Sequence, residues 1–366
     1  MKAGERLAAL EGLRGHAAML VFLTHAFGYL AGKLYVVSDV EHLYVLDASS
    51  VGLAVLVFFF HSNYGVDLFF VLSGLLMADI AVRRWPGTGR FMSRRILRIY
   101  PPYLASVVIA AIVVYLTMQR SVGLSEGAAN LALLQGFFPL GIHAINPVTW
   151  SLSFEAAFYL AVPVIALAWG AGRPGSLAFR FIFLAALFVA IVALCAMLTA
   201  DRAIYLAYFA LFIPGIALGM LGDDARKRVA ERTPLALVVI AWMAFTLAVK
   251  TGALPNTHPA YYPASGIACG LMVLKACDAG SMLARLLEHP VMRWLGRYSY
   301  SLFLIHYIVV HYWAGVVSGW IAAESRITFA VVFLGGALAI SLGAARALYA
   351  LTERWYFSAR GNAPRP

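Results

Sequence analysis

Arg14 and His25 stand eleven residues apart in the apolar run at residues 7–30 (LAALEGLRGHAAMLVFLTHAFGYL), a spacing of about three helical turns, so both side chains share one helix face. The same run carries Glu11 and His16. Holding an ion in hydrocarbon costs roughly 2.5 kcal/mol or more per group, which makes such a segment a candidate site. The chemistry on offer is that of a base and a cation. A histidine titrates near neutrality and exchanges protons there, while a guanidinium grips phosphate through paired hydrogen bonds. Other ionisable groups in apolar surroundings are Asp67 of GVDLFFVLSG, Arg94, Arg95 and Arg98 of RRILRIY, and Glu155 of TWSLSFEAAFYL. Arg98 lies three and four residues from the other two arginines, so all three face one way. Each group also has a structural reading. Arg94, Arg95 and Arg98 can be topology signals at a helix start, Arg14 and His25 can be satisfied by Glu11 or a neighbouring helix, and Asp67 and Glu155 can neutralise arginines. His16, between Gly15 and Ala17, reads as a structural hydrogen bonder.

The elements that must position these groups follow from composition. The chain has 366 residues, 62% apolar and 12% charged, with a mean hydropathy of +0.82. That balance excludes a soluble globular protein and predicts an all-α polytopic membrane protein. Apolar stretches of helix length occur near residues 7–30, 51–80, 95–118, 148–169, 177–199, 203–221, 234–250, 260–277, 297–319 and 327–351, about ten spans in all. Of the 28 lysines and arginines, only Lys33, Arg120, Arg202, Lys250 and Arg326 fall outside when the N-terminus is cytoplasmic. Both termini are therefore expected in the cytoplasm, and topogenesis accounts for the net charge of +11 without nucleic acid.

Depth counted at about 1.5 Å per residue splits the polar groups into two levels. His25, Asp67 and Glu155 fall in the outer leaflet; Arg14, Arg94, Arg95 and Arg98 fall in the inner one. Helical rise separates Arg14 from His25 by about 16 Å, beyond direct contact. Such an arrangement suits transfer across the bilayer, with an anionic carrier held from the cytoplasm and a base near the outer face.

Little else in the chain suggests a site. Glu11 and Arg14 interrupt any signal-peptide core, so the first helix is expected to stay in the mature protein. Cys195, Cys269 and Cys277 lack metal or redox spacing and read as packing residues, leaving no metal site or disulfide framework indicated. The connections are short enough that residues 1–366 read as a single integral membrane domain with no soluble domain appended. Small-residue pairs at Gly28/Gly32, Gly215/Gly219, Gly266/Gly270 and Gly315/Gly319 are expected at close helix contacts.

Five ordered motifs resemble those of the acyltransferase-3 family of integral membrane acyltransferases. LEGLRGHAAMLVFLTHA (10–26) resembles the opening signature with its Arg-x10-His spacing, and GVDLFFVLSGLLM (65–77) the second. RRILRIYPPYL (94–104) is similar to the arginine-pair motif followed by Tyr-Pro, WSLSFEAAFYL (150–160) to the Trp-Ser-Leu-x-x-Glu block, and LGRYSYSLFLIHYIVV (295–310) to the last. The resemblance implies His25 as the catalytic histidine, Arg14 as its partner motif residue, Arg95 and Arg98 as the donor-side pair, and Glu155 as the acidic residue of its helix. It also implies an acyl-CoA donor, most often acetyl-CoA, and acceptors among envelope carbohydrates and related molecules. Leu75 and Leu76 depart from the usual Phe-Leu. Ala156 and Ala157 replace a further acid and a Gln, leaving Glu155 the sole acidic candidate on its helix.

The mechanism expected on this basis is O-acyl transfer. His25 acts as general base on an acceptor hydroxyl, Glu155 or Asp67 orients and stabilises the imidazole, and Arg14, Arg95 and Arg98 bind the donor's phosphates. An acyl-histidine relay is a variant. Two other classes compete: an exporter of a small anionic or sugar-like solute, which would use the same charges as a pathway, and a lipid-linked glycosyltransferase, which would ordinarily carry a carboxylate at the first-helix site. Neither related halves nor paired broken helices, beyond Gly65 and the Tyr-Pro-Pro at 100–102, are detectable in favour of the exporter. The phosphate-loop lookalike GYLAGKL (28–34) is one residue short and ends in Leu34 where Ser or Thr is needed.

Overall fold

A computed structural model describes residues 3–35, 64–137, 144–170, 176–255, 258, 260–321 and 326–361. Every regular element among them is helical. In chain order these are α1 (Ala3–Tyr35), α2 (Tyr64–Arg83), α3 (Thr88–Met118), α4 (Leu124–Leu131), a 3-10 turn (Pro147–Thr149), α5 (Trp150–Trp169), α6 (Leu177–Met197) and α7 (Ala200–Ala210). There follow α8 (Phe212–Met220), α9 (Asp223–Arg232), α10 (Leu235–Lys250), α11 (Tyr261–Ala276), α12 (Met282–Leu287), α13 (Pro290–Trp320), α14 (Arg326–Thr352) and α15 (Arg354–Gly361).

Seven helices among the described residues are long and apolar enough to cross a bilayer, or eight if α9 and α10, bent by 78°, form one span. The ten spans expected from hydropathy also counted two segments of a different character. The 16 residues of α11 rise only about 24 Å, short of a hydrocarbon core of about 30 Å. α1 is 33 residues long but carries the ionisable groups on which the site reading rests. The leading part of the second apolar run, VGLAVLVFFF, lies outside the described residues, as do His143 and the connection at 36–50.

The helices divide into two compact units. The first takes α1 up to Thr24, α2, the part of α5 from Ala157, α6 to α12, and α13 up to Arg297. Its core joins Leu10, Leu13 and Ala17 of α1 to Leu68, Val71, Leu72 and Leu75 of α2, Val273 and Leu274 of α11, and Leu287 of α12. Small residues make the approaches close. A Cβ on Gly215 of α8 would collide with the Val71 carbonyl, one on Gly219 with the Leu75 carbonyl, and one on Gly74 with the Phe212 carbonyl, so α2 and α8 pack backbone to backbone. Gly266 and Gly270 of α11 lie near Leu211 and Pro214. Gly315 and Gly319 of α13 are different, since a Cβ there would meet nothing; that small-residue pair marks no helix contact among the described residues. At one end of this unit Asp79 binds Arg83, Arg84 and the buried Arg226, while Arg83 also donates to the carbonyls of Gly219, Met220 and Leu221 that end α8.

The second unit takes α1 from His25, α3, α4, the start of α5, α13 from Tyr298, α14 and α15. Two hydroxyls register α3 against α13: Tyr300 donates to the Ile99 carbonyl at 3.1 Å and Tyr312 to the Val113 carbonyl at 2.8 Å. Both contacts advance in the same chain direction, so the two helices run parallel for about 20 Å. α3 continues through Pro101 and Pro102 as one helix, so the Tyr-Pro-Pro segment does not break it.

Candidate functional site

His25 and its neighbours belong to the second unit. His25 Nδ1 lies 3.2 Å from Nε2 of His306 on α13, with ring centroids 5.0 Å apart and planes tilted by 54°. That tilt suits a nitrogen-to-nitrogen hydrogen bond better than a stack. The Tyr307 ring stands nearly perpendicular to the His25 imidazole, centroids 5.1 Å apart. His306 is wholly buried and its Nδ1 lies 3.0 Å from the Leu302 carbonyl, one turn back on the same helix. His25 is half-buried.

Polar contacts on several sides hold α13 at this level. Ser301 donates to Glu353 at the end of α14. Asn146 Nδ2 donates at 2.7 Å to the Leu304 carbonyl and lies 3.4 Å from Ser106 Oγ of α3. Leu304 is two residues before His306, so the histidine pair and Ser106 lie at one height. Both Asn146 and Ser106 are fully buried, where an amide or hydroxyl needs a hydrogen bond to be tolerated. Asn146 also opens the 3-10 turn leading into α5, its carbonyl accepting from Thr149 N and Thr149 Oγ1. Gln135 Nε2 donates to the Thr149 carbonyl at 2.9 Å, and Gly136 N donates to Ser153 Oγ at 2.9 Å. The Trp-Ser-Leu-Ser-Phe-Glu block is thus tied down at its start, and Glu155, half-buried one turn in, belongs to the same unit as His25.

Three arginines sit lower on α3. Arg94 is exposed, whereas Arg95 and Arg98 are half-buried. The Arg95 guanidinium lies 5.6 Å from the Phe91 ring centroid, and that of Arg98 lies 4.9 Å from Phe357 on α15. Tyr356 adds a hydrogen bond to the Arg94 carbonyl at 3.2 Å. An aromatic face fixes one side of a guanidinium and leaves its in-plane N–H fork available to an anion. Using the Tyr300–Ile99 contact as a marker, the histidine level lies six residues further along α13, a rise of about 9 Å.

The remaining expected residues lie in the first unit. Asp67 is buried and its carboxylate accepts a hydrogen bond from Ser265 of α11, amid Tyr64, Tyr208 and Tyr262. Arg14 is half-buried on a stretch of α1 that runs close to other backbone: Cβ atoms on Gly12, Gly15 and Gly296 would strike the Leu287, Met292 and Glu11 carbonyls respectively. Glu11 pairs with Arg293 at 3.7 Å. The glycines flanking Arg14 in the opening motif therefore serve packing.

His306 was not among the residues singled out by the sequence. The signal was present: a second ionisable residue within an apolar span of the last motif, a class of residue that is costly without a purpose. Its 281-residue separation from His25 hid the pairing.

A family profile described as an acyltransferase domain matches residues 7–346. A protein of Komagataeibacter xylinus named as a membrane-bound transacylase, BcsY, is 30% identical over 386 aligned residues, covering 97% of this chain and 84% of the relative. A protein of Streptomyces mycarofaciens named as the acyltransferase MdmB is 30% identical over 165 residues, covering 43% of this chain and 39% of the relative. No solved structure matches at a significant level.

Proposed function

Because this chain belongs to the acyltransferase-3 family and is a multi-pass membrane acyltransferase, we propose that it moves an acyl group from cytoplasmic acyl-CoA to a hydroxyl of an envelope carbohydrate or related acceptor. The observation that carries this reading is the anchored His25–His306 pair, about 9 Å along α13 beyond the Tyr300–Ile99 contact, with the stacked Arg98 one residue before Ile99 on the parallel α3. A phosphate-bearing donor gripped at Arg95 and Arg98 would extend its thioester toward the histidine level. Acetyl is the acyl group implied by the family, and both chain termini are assigned to the cytoplasm by the distribution of basic residues.

In the chemical step the acceptor oxygen attacks the thioester carbonyl carbon while His25 takes the hydroxyl proton. Collapse of the tetrahedral intermediate breaks the carbon–sulfur bond, and the proton on His25 passes to the departing thiolate. The products are an ester and free CoA thiol. Positioned proton transfer of this kind contributes roughly 10²–10⁴-fold. Glu155, in the same unit as His25, is assigned to stabilising the imidazolium. The test supplies purified, lipid-reconstituted protein with radiolabelled acetyl-CoA and envelope glycan. His25→Ala is expected to abolish nearly all transfer with donor binding retained. Undiminished transfer by the variant removes the base assignment, and solute transport without label transfer removes the enzymatic reading.

A further inference from the structure

We propose that His306 is a positioning residue that selects the tautomer of His25, holding its proton on Nδ1 so that Nε2 carries the lone pair. The inference rests on the reading of His25 as the base and deepens it. Its logic is a count of donors and acceptors. The Leu302 carbonyl only accepts, so His306 Nδ1, 3.0 Å away, carries the hydrogen. A neutral imidazole with hydrogen on Nδ1 has its lone pair on Nε2. That Nε2 faces His25 Nδ1 at 3.2 Å, and the contact is a hydrogen bond only if His25 Nδ1 donates. The neutral His25 then presents Nε2 as its basic nitrogen. When Nε2 takes the acceptor's proton, the imidazolium still donates from Nδ1 to His306, so no second proton transfer is required.

Burial supports the assignment. His306 is 0% exposed on a helix registered by Tyr300, Ser301, Asn146 and Tyr312, so its ring cannot turn over without giving up the Leu302 carbonyl in a site closed to solvent. The Tyr307 ring packs against His25 as well, nearly perpendicular to it. This is the part that an orienting third group plays in triad logic, supplied here by a neutral imidazole whose own tautomer is fixed by a helix carbonyl.

The experiment compares His306→Leu, His306→Gln and His25→Ala in the full-length, lipid-reconstituted protein, with acetyl-CoA as donor and envelope glycan as acceptor. Leucine removes the acceptor facing His25 and is expected to lower kcat about ten- to a hundredfold with the donor KM little changed, a part of the 10²–10⁴-fold a positioned base supplies. Glutamine can donate to the Leu302 carbonyl through its NH₂ and accept from His25 through its oxygen, so it is expected to recover much of the loss. Nitrogen-15 spectra of histidine-labelled wild-type protein, with the His25 signal identified by its absence from His25→Ala, should show the Nδ1–H form. Wild-type kcat in His306→Leu, a glutamine variant no better than leucine at equal thermal stability, or a His25 signal of the Nε2–H form each overturns the proposal. If His306→Leu fails to fold, the wild-type spectrum decides alone. Full activity of His25→Ala removes the base reading itself, whereas an inactive His25→Ala beside a wild-type His306→Leu removes only the tautomer assignment.

Discussion

The stacking of Arg98 on Phe357 allows the donor site to be tested by two substitutions whose effects should differ in size. A hydrogen bond between a charged donor and a phosphate is worth about 1.5–3 kcal/mol, so Arg98→Ala should raise the acyl-CoA KM by roughly ten- to a hundredfold at about 1.4 kcal/mol per tenfold. Phe357→Ala keeps the guanidinium and removes only the ring 4.9 Å from it. A cation–π contact at a partly exposed site contributes about 0.5–1 kcal/mol, so the KM should rise only about two- to fivefold. In both variants kcat at saturating donor should stay close to wild type, because a phosphate grip remote from the thioester binds ground and transition states alike. The assay is steady-state transfer from labelled acetyl-CoA by protein in nanodiscs, with thermal melting as a control for the α15 contact made by Tyr356. An unchanged KM in Arg98→Ala would refute the donor assignment and return the arginines to topology. Equal effects from the two substitutions would refute the partition between charge and platform.

Three further outcomes follow from packing and charge. Gly215→Ala should destabilise the protein by about 1–3 kcal/mol, because its Cβ collides with the Val71 carbonyl and backbone cannot yield as a side chain can; Gly315→Ala, with open space around it, should be neutral or stabilising by about 0.5–1 kcal/mol. Melting temperatures in matched detergent read both, and equal shifts would contradict the α2–α8 packing. Asp79→Asn should cost about 1.5–3 kcal/mol, since it removes the carboxylate that accepts from Arg83 and Arg84, while Arg226 keeps its closer partner Asp223; a wild-type melt would show that the arginines find other partners. Asn146→Leu should lower kcat more than it raises the donor KM, because it removes the bond to the Leu304 carbonyl two residues from His306. A selective KM effect would place Asn146 with the donor instead.

Much of this protein was legible before any tertiary contact was known. A bilayer forces backbone hydrogen bonds into helices and makes each buried ion expensive, so apolar runs announced the helices, and Arg14, His25, Asp67, Arg95, Arg98 and Glu155 stood out against them. The 3.6-residue period put Arg14 and His25 on one face of what is a single helix, Ala3–Tyr35. The same local rules are silent on partners. Nothing within a turn of His25 names His306, nothing near Asp67 names Ser265, and nothing beside Arg98 names Phe357. Spacing within a helix fixes which face a residue takes, while the residue opposite is fixed by how distant helices pack. Glycine makes the same point: Gly215/Gly219 and Gly315/Gly319 have the same spacing, yet the first pair lies against another backbone and the second faces open space. Composition and period determined that this chain is a helical membrane protein with costly charges in chosen places. Only the tertiary structure decided that His25 leans on a second histidine, because a hydrogen bond between residues 281 positions apart is set by helix packing and leaves no periodic trace in the chain.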